Sequence, residues 1–567
     1  MTVRTALARL DVRDLLPRRD DYELRPRTVG ADLVAGLTVG VVALPLALAF
    51  GVSSGVGPAA GLVTAVVAGV VAAVFGGSRF QVSGPTGAMA VVLAPIVAQH
   101  GLPSVALVSV LAGIVVLAAG LLRLGRVVTF IPWPVVEGFT LGIAAIIFLQ
   151  QVPAAVAVEG PVGENTLATA VQVTAEAVAS PSLTTAWTLG TVAAVAAVML
   201  ALPRLSGAIP ASLVAVAAAT VVAEVAHAPL ARIGALPDSL PVPTMPTVGV
   251  GALGDLAGAA LAVAALAAIE SLLSARVAAS MEPGGSVYEP DRELVGQGLA
   301  SVAAGLFGGM PATGAIARTA VNIRSGARTR LAAVVHALVI LAVIYLATGP
   351  VSRIPLAALS GVLMVTAFRM TGARTIRAVL GSTRSDAVTF VVTAVVTVAF
   401  DLIQAVEIGL VVAAFFALRH VSRASAVHRE PLPGQARPGD EHVALFRLDG
   451  SMFFGASDRV LTEVSDASAR DGVLVVVLRL SQLRMVDATG ARALAELVGA
   501  LEGRGVTVLV KGVQERHRQL LTTVGVLEEL RHENHLFDSL DDAVEHARSH
   551  VRRSAEGTDV PQLEGRR

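Results

Sequence analysis

Between Leu33 and about Leu418 the chain is a succession of apolar runs, separated by short breaks that carry most of the charge of this region. Leu33–Val52 holds no formal charge, and about 20 such residues are what a helix needs to cross a bilayer. The breaks fall at Arg79, Arg123/Arg126, 152–182, Arg204, 227–251, 281–293, 324–330, Arg353, 369–384 and Asp401, leaving twelve to fourteen candidate spans. Only 15% of residues are charged, where a soluble domain carries about 25%. A water-soluble enzyme is excluded. The 43 basic and 43 acidic residues cancel, so no global field attracts nucleic acid. The absence of cysteine excludes disulfides, thiol catalysis and cysteine-ligated metals. Lys511 is the single lysine; Arg usage with abundant Ala, Val and Gly suggests a high-GC bacterial genome.

Charge placement sets the expected orientation. Residues 1–30 are dense in charge, with Arg4, Arg9, Arg13 and Asp14 among them, and lack the apolar core of a secretory signal. They are expected in the cytoplasm of a bacterium, with the spans in its inner (plasma) membrane. The positive-inside rule then puts Arg79, Arg123, Arg126, Arg204, Arg324, Arg328, Arg330, Arg374, Arg377, Arg384, Arg419 and Arg423 on the same side. The 152–187 stretch, without Lys or Arg, falls outside; Arg232 and Arg353 are the exceptions. An even number of spans returns the chain to the cytoplasm, and fourteen satisfies this best. Residues 31–420 form the membrane region. Trp133 and Trp187 suit interfacial anchoring, and Glu137 a helix start. Asp401 and Glu407 read as interfacial or structural, and His336 as packing or a single hydrogen bond.

Residues 421–440 read as a Pro- and Arg-rich linker. From Glu441 strands are expected at His442–Phe454, Val473–Leu480 and Val506–Val510. Helices are expected at Asp458–Ala469, Thr489–Glu502, Glu515–Val524 and Ser539–Val551. Together they make a small α/β domain over 441–552, followed by a polar, disordered tail, 553–567. No phosphate-binding loop or dinucleotide fingerprint occurs, so nucleotide chemistry has no residues to support it.

Two places in the apolar region repeat each other. Phe75-Gly76-Gly77 precedes Gln81-Val82-Ser83-Gly84-Pro85-Thr86-Gly87-Ala88, and Phe307-Gly308-Gly309 precedes Met310-Pro311-Ala312-Thr313-Gly314-Ala315. Each opens an unusually short apolar segment, the sequence sign of inverted repeats around a midplane site. Pro85 and Pro311 suit the first turn of a helix, where the missing N–H has no partner. Two helices that begin inside the membrane present unpaired N–H groups and partial positive charge. An anion, water or side chains must satisfy them, and glycine lets a ligand reach the backbone. Arg318, placed about two turns into the second helix, adds a full charge. Ser83, Gly84, Pro85, Thr86, Pro311, Ala312, Thr313, Gly314 and Arg318 are therefore the expected anion site. Packing glycines and a structural arginine are the plainer alternative.

Within 257–279 only Glu270 and Arg276 are charged, and Glu270 and Ser274 share a helix face. Glu270 can carry a proton, or its oxygen and the Ser274 hydroxyl can contribute to a hard-cation (Na+) site. An ion pair with Arg318 or Arg276 is the structural alternative.

QVSGPTGAM, GGMPATGAIARTAVNIRSGART and AIESLLSARVAASM resemble the bacterial sulfate permease (SulP) family, relatives of the animal anion exchangers and prestin. The resemblance runs from Asp32 to Leu418, and the soluble region resembles the STAS domain this family carries. It implies fourteen segments in two inverted seven-segment repeats, divided into core and gate domains. It also implies an anion between the third and tenth segments, elevator-type alternating access, and a homodimer. Arg318 occupies the basic position of the tenth segment, and Phe50, in ALPLALAF, matches an aromatic lining the pocket. In the bicarbonate-transporting branch an Asp stands at the Glu270 position and helps bind sodium. Glu here leaves both couplings open and inclines the reading to protons. Sulfate, bicarbonate and C4-dicarboxylates are all handled in the family, and PATGAIART looks closer to the dicarboxylate and sulfate branches. STAS domains of anti-sigma-factor antagonists carry a phosphorylatable serine where Thr489 stands in Asp487-Ala488-Thr489-Gly490; an ordinary helix N-cap by Asp487 is the alternative.

The expected function is secondary active anion transport across a lipid bilayer, coupled to H+ or Na+, with no other cofactor and a regulatory or dimerising STAS domain. A passive anion channel, an uncoupled exchanger and a membrane-anchored signalling protein are the alternatives.

Overall fold

The computed structural model describes the chain except residues 1–14, 19–20, 23–24, 127–131, 159–165, 206–208, 247–251, 282–287, 400–401, 424–425, 453–461, 463, 467–471 and 557–567. Arg4, Arg9, Arg13, Asp14, Asp401, most of the expected Asp458–Ala469 helix and residues 557–567 of the expected tail lie outside the described residues. The chain divides at Val411/Val412 into two units.

The first unit is helical. Its first set of segments is α1 (Pro26–Ser53), α2 (Pro58–Phe75), α3 (Gly87–His100), α4 (Pro103–Leu121), α5 (Trp133–Gln150) running on through α6 (Val152–Val156), α7 (Thr166–Ala179), α8 (Leu183–Leu205) and α9 (Ala211–Val225). The second set is α10 (Ala252–Met281), α11 (Pro290–Leu306), α12 (Ile316–Arg324), α13 (Leu331–Leu346), the short α14 (Thr348–Ser352), α15 (Leu356–Met370) with α16 (Ala373–Leu380), α17 (Arg384–Ala399) and α18 (Leu402–Arg423), through which the division of the two units runs. Among the described residues seven helices are long and apolar enough to cross a membrane, and three shorter apolar ones accompany them. Proline opens α1, α2, α4 and α11, where its missing N–H costs nothing.

Setting α7 and α14 aside, each half contributes seven segments, and the packing repeats when the halves are exchanged. The α4–α11 contact has its counterpart in α13–α2, α1–α13 in α10–α4, and α5–α17 in α15–α8. The helices thus sort into one group of α1–α4 with α10–α13 and another of α5, α8 and α9 with α15 and α17. Small residues let the helices of the first group close up. A Cβ on Gly61 of α2 would stand 2.0 Å from the Ala47 carbonyl oxygen of α1, so that crossing requires glycine.

Before each short helix lies a two-residue strand, β1 (Ser83–Gly84) and β2 (Thr313–Gly314). They pair antiparallel, Ser83 opposite Gly314 and Gly84 opposite Thr313. The helices begin after them, at Gly87 and Ile316. This corrects the expected helix starts: Pro85 and Pro311 sit in extended chain ahead of the helices, because the backbone pairs across the repeats before it coils. Arg318 is accordingly the third residue of α12 and stands in its first turn.

The second unit contains a six-stranded sheet formed by β3 (Ala426–Glu430), β4 (Val443–Met452), β5 (Val475–Arg479), β6 (Leu483–Val486), β7 (Thr507–Lys511) and β8 (Leu536–Phe537). The order is β3-β4-β5-β7-β8, with β6 also beside β4; only β3 runs antiparallel to its neighbour. Helices α19 (Ala488–Gly503), α20 (Glu515–Thr523) and α21 (Leu540–Ala555) complete the fold. Side chains alternate across the sheet: Val476, Leu478, Val508 and Val510 meet Leu494, Leu497 and Leu501 of α19, whereas Val475, Val477 and Leu509 meet Ala543, Ala547 and Val551 of α21. Strand β3 falls inside the expected linker 421–440, since pairing with β4 recruits a polar sequence that carries no strand pattern of its own. The Asp487 side chain accepts a 2.7 Å hydrogen bond from Gly490 N, capping α19. Asp487→Ala is expected to destabilise this unit by about 1 kcal/mol, measurable as a lower thermal midpoint of its unfolding transition.

Candidate functional site

The strand pair draws the two short helices tip to tip. At 1.5 Å per residue, α3 and α12 are about 21 and 14 Å long, well short of the ~30 Å hydrocarbon thickness. Their N-caps, Thr86 and Ala315, provide no side-chain cap. The amides of the first turns therefore stay available at the junction.

One acid reaches this junction. Glu270 of α10 accepts through a single oxygen, Oε2, from the Thr86 hydroxyl at 2.9 Å and the Thr313 hydroxyl at 2.8 Å. The two hydroxyls are themselves 3.0 Å apart. One residue from each repeat thus meets the same carboxylate oxygen. Ser271, next along α10, accepts from Gly314 N at 3.1 Å and fixes β2.

Arg318 is buried beside the acid without pairing to it. Nη2 donates to the Pro85 carbonyl, crossing from one repeat to the other, while Nη1, equally buried, meets no hydrogen-bond partner. Among the described residues no ion pair within 4 Å joins Arg318 to Glu270, so neither expected structural pair of Glu270 is the arrangement seen. Gly84, at φ +152°, lies under this guanidinium: a Cβ there would stand 2.8 Å from Nη1. Phe50 is buried against the start of α3, its Cε1 3.2 Å from where a Gly87 Cβ would be.

Other expected residues serve the frame. Ser83 accepts from Gln297 Nε2 at 2.6 Å. The Ala312 N–H donates to Ser301 Oγ at 3.3 Å, and Met310, just before Pro311, is held by Thr64 Oγ1 at 2.7 Å. Ser274 is buried, yet its hydroxyl lies 3.4 Å from that of Thr319 rather than beside Glu270. Glu270 and Ser274, one turn apart on α10, form no hydrogen bond with each other among the described residues. His336 is fully buried, and its ring nitrogens meet no hydrogen-bond partner. Trp133 Nε1 donates to Glu137 at 2.9 Å at the start of α5.

A further acid of the region, the buried Glu293, was passed over by sequence reasoning. Oε2 accepts from Gly77 N and Ser78 N at 2.8 and 2.9 Å, and Oε1 from Gln81 and Gln297, both at 2.8 Å. Four donors saturate this carboxylate and lock the end of α2 to α11. Its signal was the Phe75-Gly76-Gly77 turn, whose bare amides need an acceptor. Asp32 plays a similar part, accepting from Arg328 N and Thr329 N at 2.6 and 3.1 Å ahead of α13.

The sulfate permease family model matches residues 30–393, and the STAS domain model residues 436–543. The chain belongs to the sulfate permease family. Among relatives of this sulfate permease family member, YvdB of Bacillus subtilis, which bears a sulfate-transporter name, is 34% identical over 90% of this chain and 96% of its own. The bicarbonate transporter BicA of Synechocystis is 30% identical over 92% and 94%. The solved transmembrane domain of a cyanobacterial BicA superposes with a TM-score of 0.59 at 31% identity, covering 69% of this chain and 98% of that one. The murine Slc26a9 anion transporter shares the fold at a TM-score of 0.81 and 17% identity, over 97% and 95%. The expected fold class, a multi-span helical transporter with a C-terminal STAS domain, is the one found. The protein is a membrane protein of an anion transporter family and not an enzyme.

Proposed function

We propose that this protein is a secondary active symporter that binds a small anion at the two helix tips and couples its movement to a proton on Glu270. One observation carries the reading: a single carboxylate oxygen takes a hydroxyl from each tip. An anion docking at the tips competes for those donors and repels the carboxylate charge. A proton on Glu270 removes the repulsion, so proton and anion favour each other's binding, reciprocally. The site comprises Thr86, Thr313, Gly84, Gly314 and Arg318, walled by Phe50. The Thr86 and Thr313 hydroxyls donate to Glu270 Oε2 and the Ser274 hydroxyl contacts that of Thr319, so a cation here would have to displace these contacts. Both points favour H+ over Na+. A channel needs no such acid.

The two helix groups support an elevator, with α1–α4 and α10–α13 moving as a body against the other group. We place the arginine-rich breaks, the N-terminus and the STAS domain in the cytoplasm of a bacterial plasma membrane, with two copies per assembly. Exposed Thr489, beside the Asp487 cap, is a candidate phosphosite for regulation. Relatives named for sulfate and for bicarbonate make these, with C4-dicarboxylates, the substrates to test.

Uptake by purified protein in liposomes, with each anion under separate proton and sodium gradients, tests the reading. Accumulation above equilibrium is expected when the outside is acid. Accumulation driven by sodium alone moves the coupling to Na+, flux that only equilibrates makes the protein a channel or exchanger, and binding without flux makes it a sensor.

A further inference from the structure

The C-terminal unit gathers histidines where the turn before β8 meets α21. His546 and His550 stand four apart on α21, a spacing that puts both on one helix face and serves as a zinc chelate in other helices. His535 reaches them from the turn before β8, and ring nitrogens of all three lie within 4.8 Å of one another. The Nε2 atoms of His546 and His550 are 3.3 Å apart. Two nitrogens held at about 2.0–2.1 Å by one tetrahedral ion stand about 3.4 Å apart, so the pair already has the separation of a metal bite. His535 is 1% exposed and its Nδ1 meets no hydrogen-bond partner, a costly state for a buried polar atom.

A neutral imidazole offers a lone pair to a metal. Neutral imidazoles without carboxylates suit zinc, copper or nickel and disfavour calcium or magnesium.

We propose that His535, His546 and His550 form a three-imidazole site for a divalent transition-metal ion, Zn2+ foremost, with a fourth position open to water or His532. Such an ion would pin α21 to the turn before β8. Metal binding of this kind is also folding free energy, so occupancy would raise the thermal stability of the STAS domain.

The test uses the untagged full-length protein in detergent, stripped with a chelator and titrated with Zn2+ by equilibrium dialysis. One Zn2+ per chain is expected, with affinity weakened by more than about a hundredfold in His550→Gln, since even outer-shell changes cost 10–100-fold. His442→Gln, elsewhere on the same domain, should leave binding intact. Stripped wild-type protein should also give the intense visible absorption of four-coordinate Co2+, a readout that does not depend on any variant folding. No binding at micromolar Zn2+, binding unchanged in the His546→Gln/His550→Gln double variant, or a six-coordinate Co2+ spectrum would overturn the assignment.

Discussion

Replacing Glu270 with Gln is expected to abolish uphill anion uptake while sparing anion exchange. One pH unit across the membrane is worth about 1.4 kcal/mol per proton, enough to concentrate a monoanion about tenfold if one proton accompanies it. The variant should bring that ratio to about 1, because nothing else at the junction carries the proton. Gln preserves the shape of the side chain, and its carbonyl oxygen still accepts from Thr86 and Thr313, so the contacts that hold Glu270 now survive. Loss of the carboxylate charge also removes its repulsion of the bound anion, which leaves exchange open. The measurement is the steady-state ratio of labelled anion in liposomes, beside counterflow of the same anion. An unchanged ratio would take coupling away from this residue.

The second large effect concerns Arg318. Half of its guanidinium is anchored on the Pro85 carbonyl and the other half, Nη1, is buried without a partner. The anchored side fixes the plane; the open side, Nη1, lies over Gly84 of β1, 2.8 Å from where a Cβ would stand. A hydrogen bond to a charged group is worth about 1.5–3 kcal/mol, so Arg318→Ala should weaken anion affinity by roughly 10–150-fold. Arg318→Lys should fall between, keeping the charge but losing the fork that bonds on two sides at once. Equilibrium binding to purified protein reads the effect, and a parallel thermal midpoint separates it from the loss of the Pro85 contact. Unaltered affinity in the Ala variant would remove Arg318 from the pocket.

What was legible in the sequence follows from how many residues each signal spans. The broken segments announced themselves because glycine, proline and threonine recur twice at matching places. Their starts were misplaced because β1 and β2 are two residues each, too short for alternation to register. Thr86 and Thr313 were read as anion ligands and are also the partners of Glu270, a contact between positions 184 and 43 residues apart in the chain. Ser274 shows the converse: helix spacing puts it near Glu270, while its hydroxyl contacts that of a tertiary neighbour, Thr319, at 3.4 Å. Glu293 drew no reading from the sequence, since its donors Gly77 and Ser78 come from a turn more than 200 residues away. In the STAS domain the amphipathic α19 and α21 were evident, whereas β3, β6 and β8 are short or polar and depend on their neighbours.

The bridge between β1 and β2 bears on how the protein is made. When the ribosome has delivered α1 to α9, the Thr86 hydroxyl still lacks its acceptor, 184 residues downstream. Hydrocarbon does not tolerate such orphaned polar groups. The early half therefore waits, through translation of the remainder, in a state that insertion machinery or water must shelter. Evolution has joined two similar halves so that neither is a finished object, and a gene cut between them would yield two fragments that must find each other to become stable.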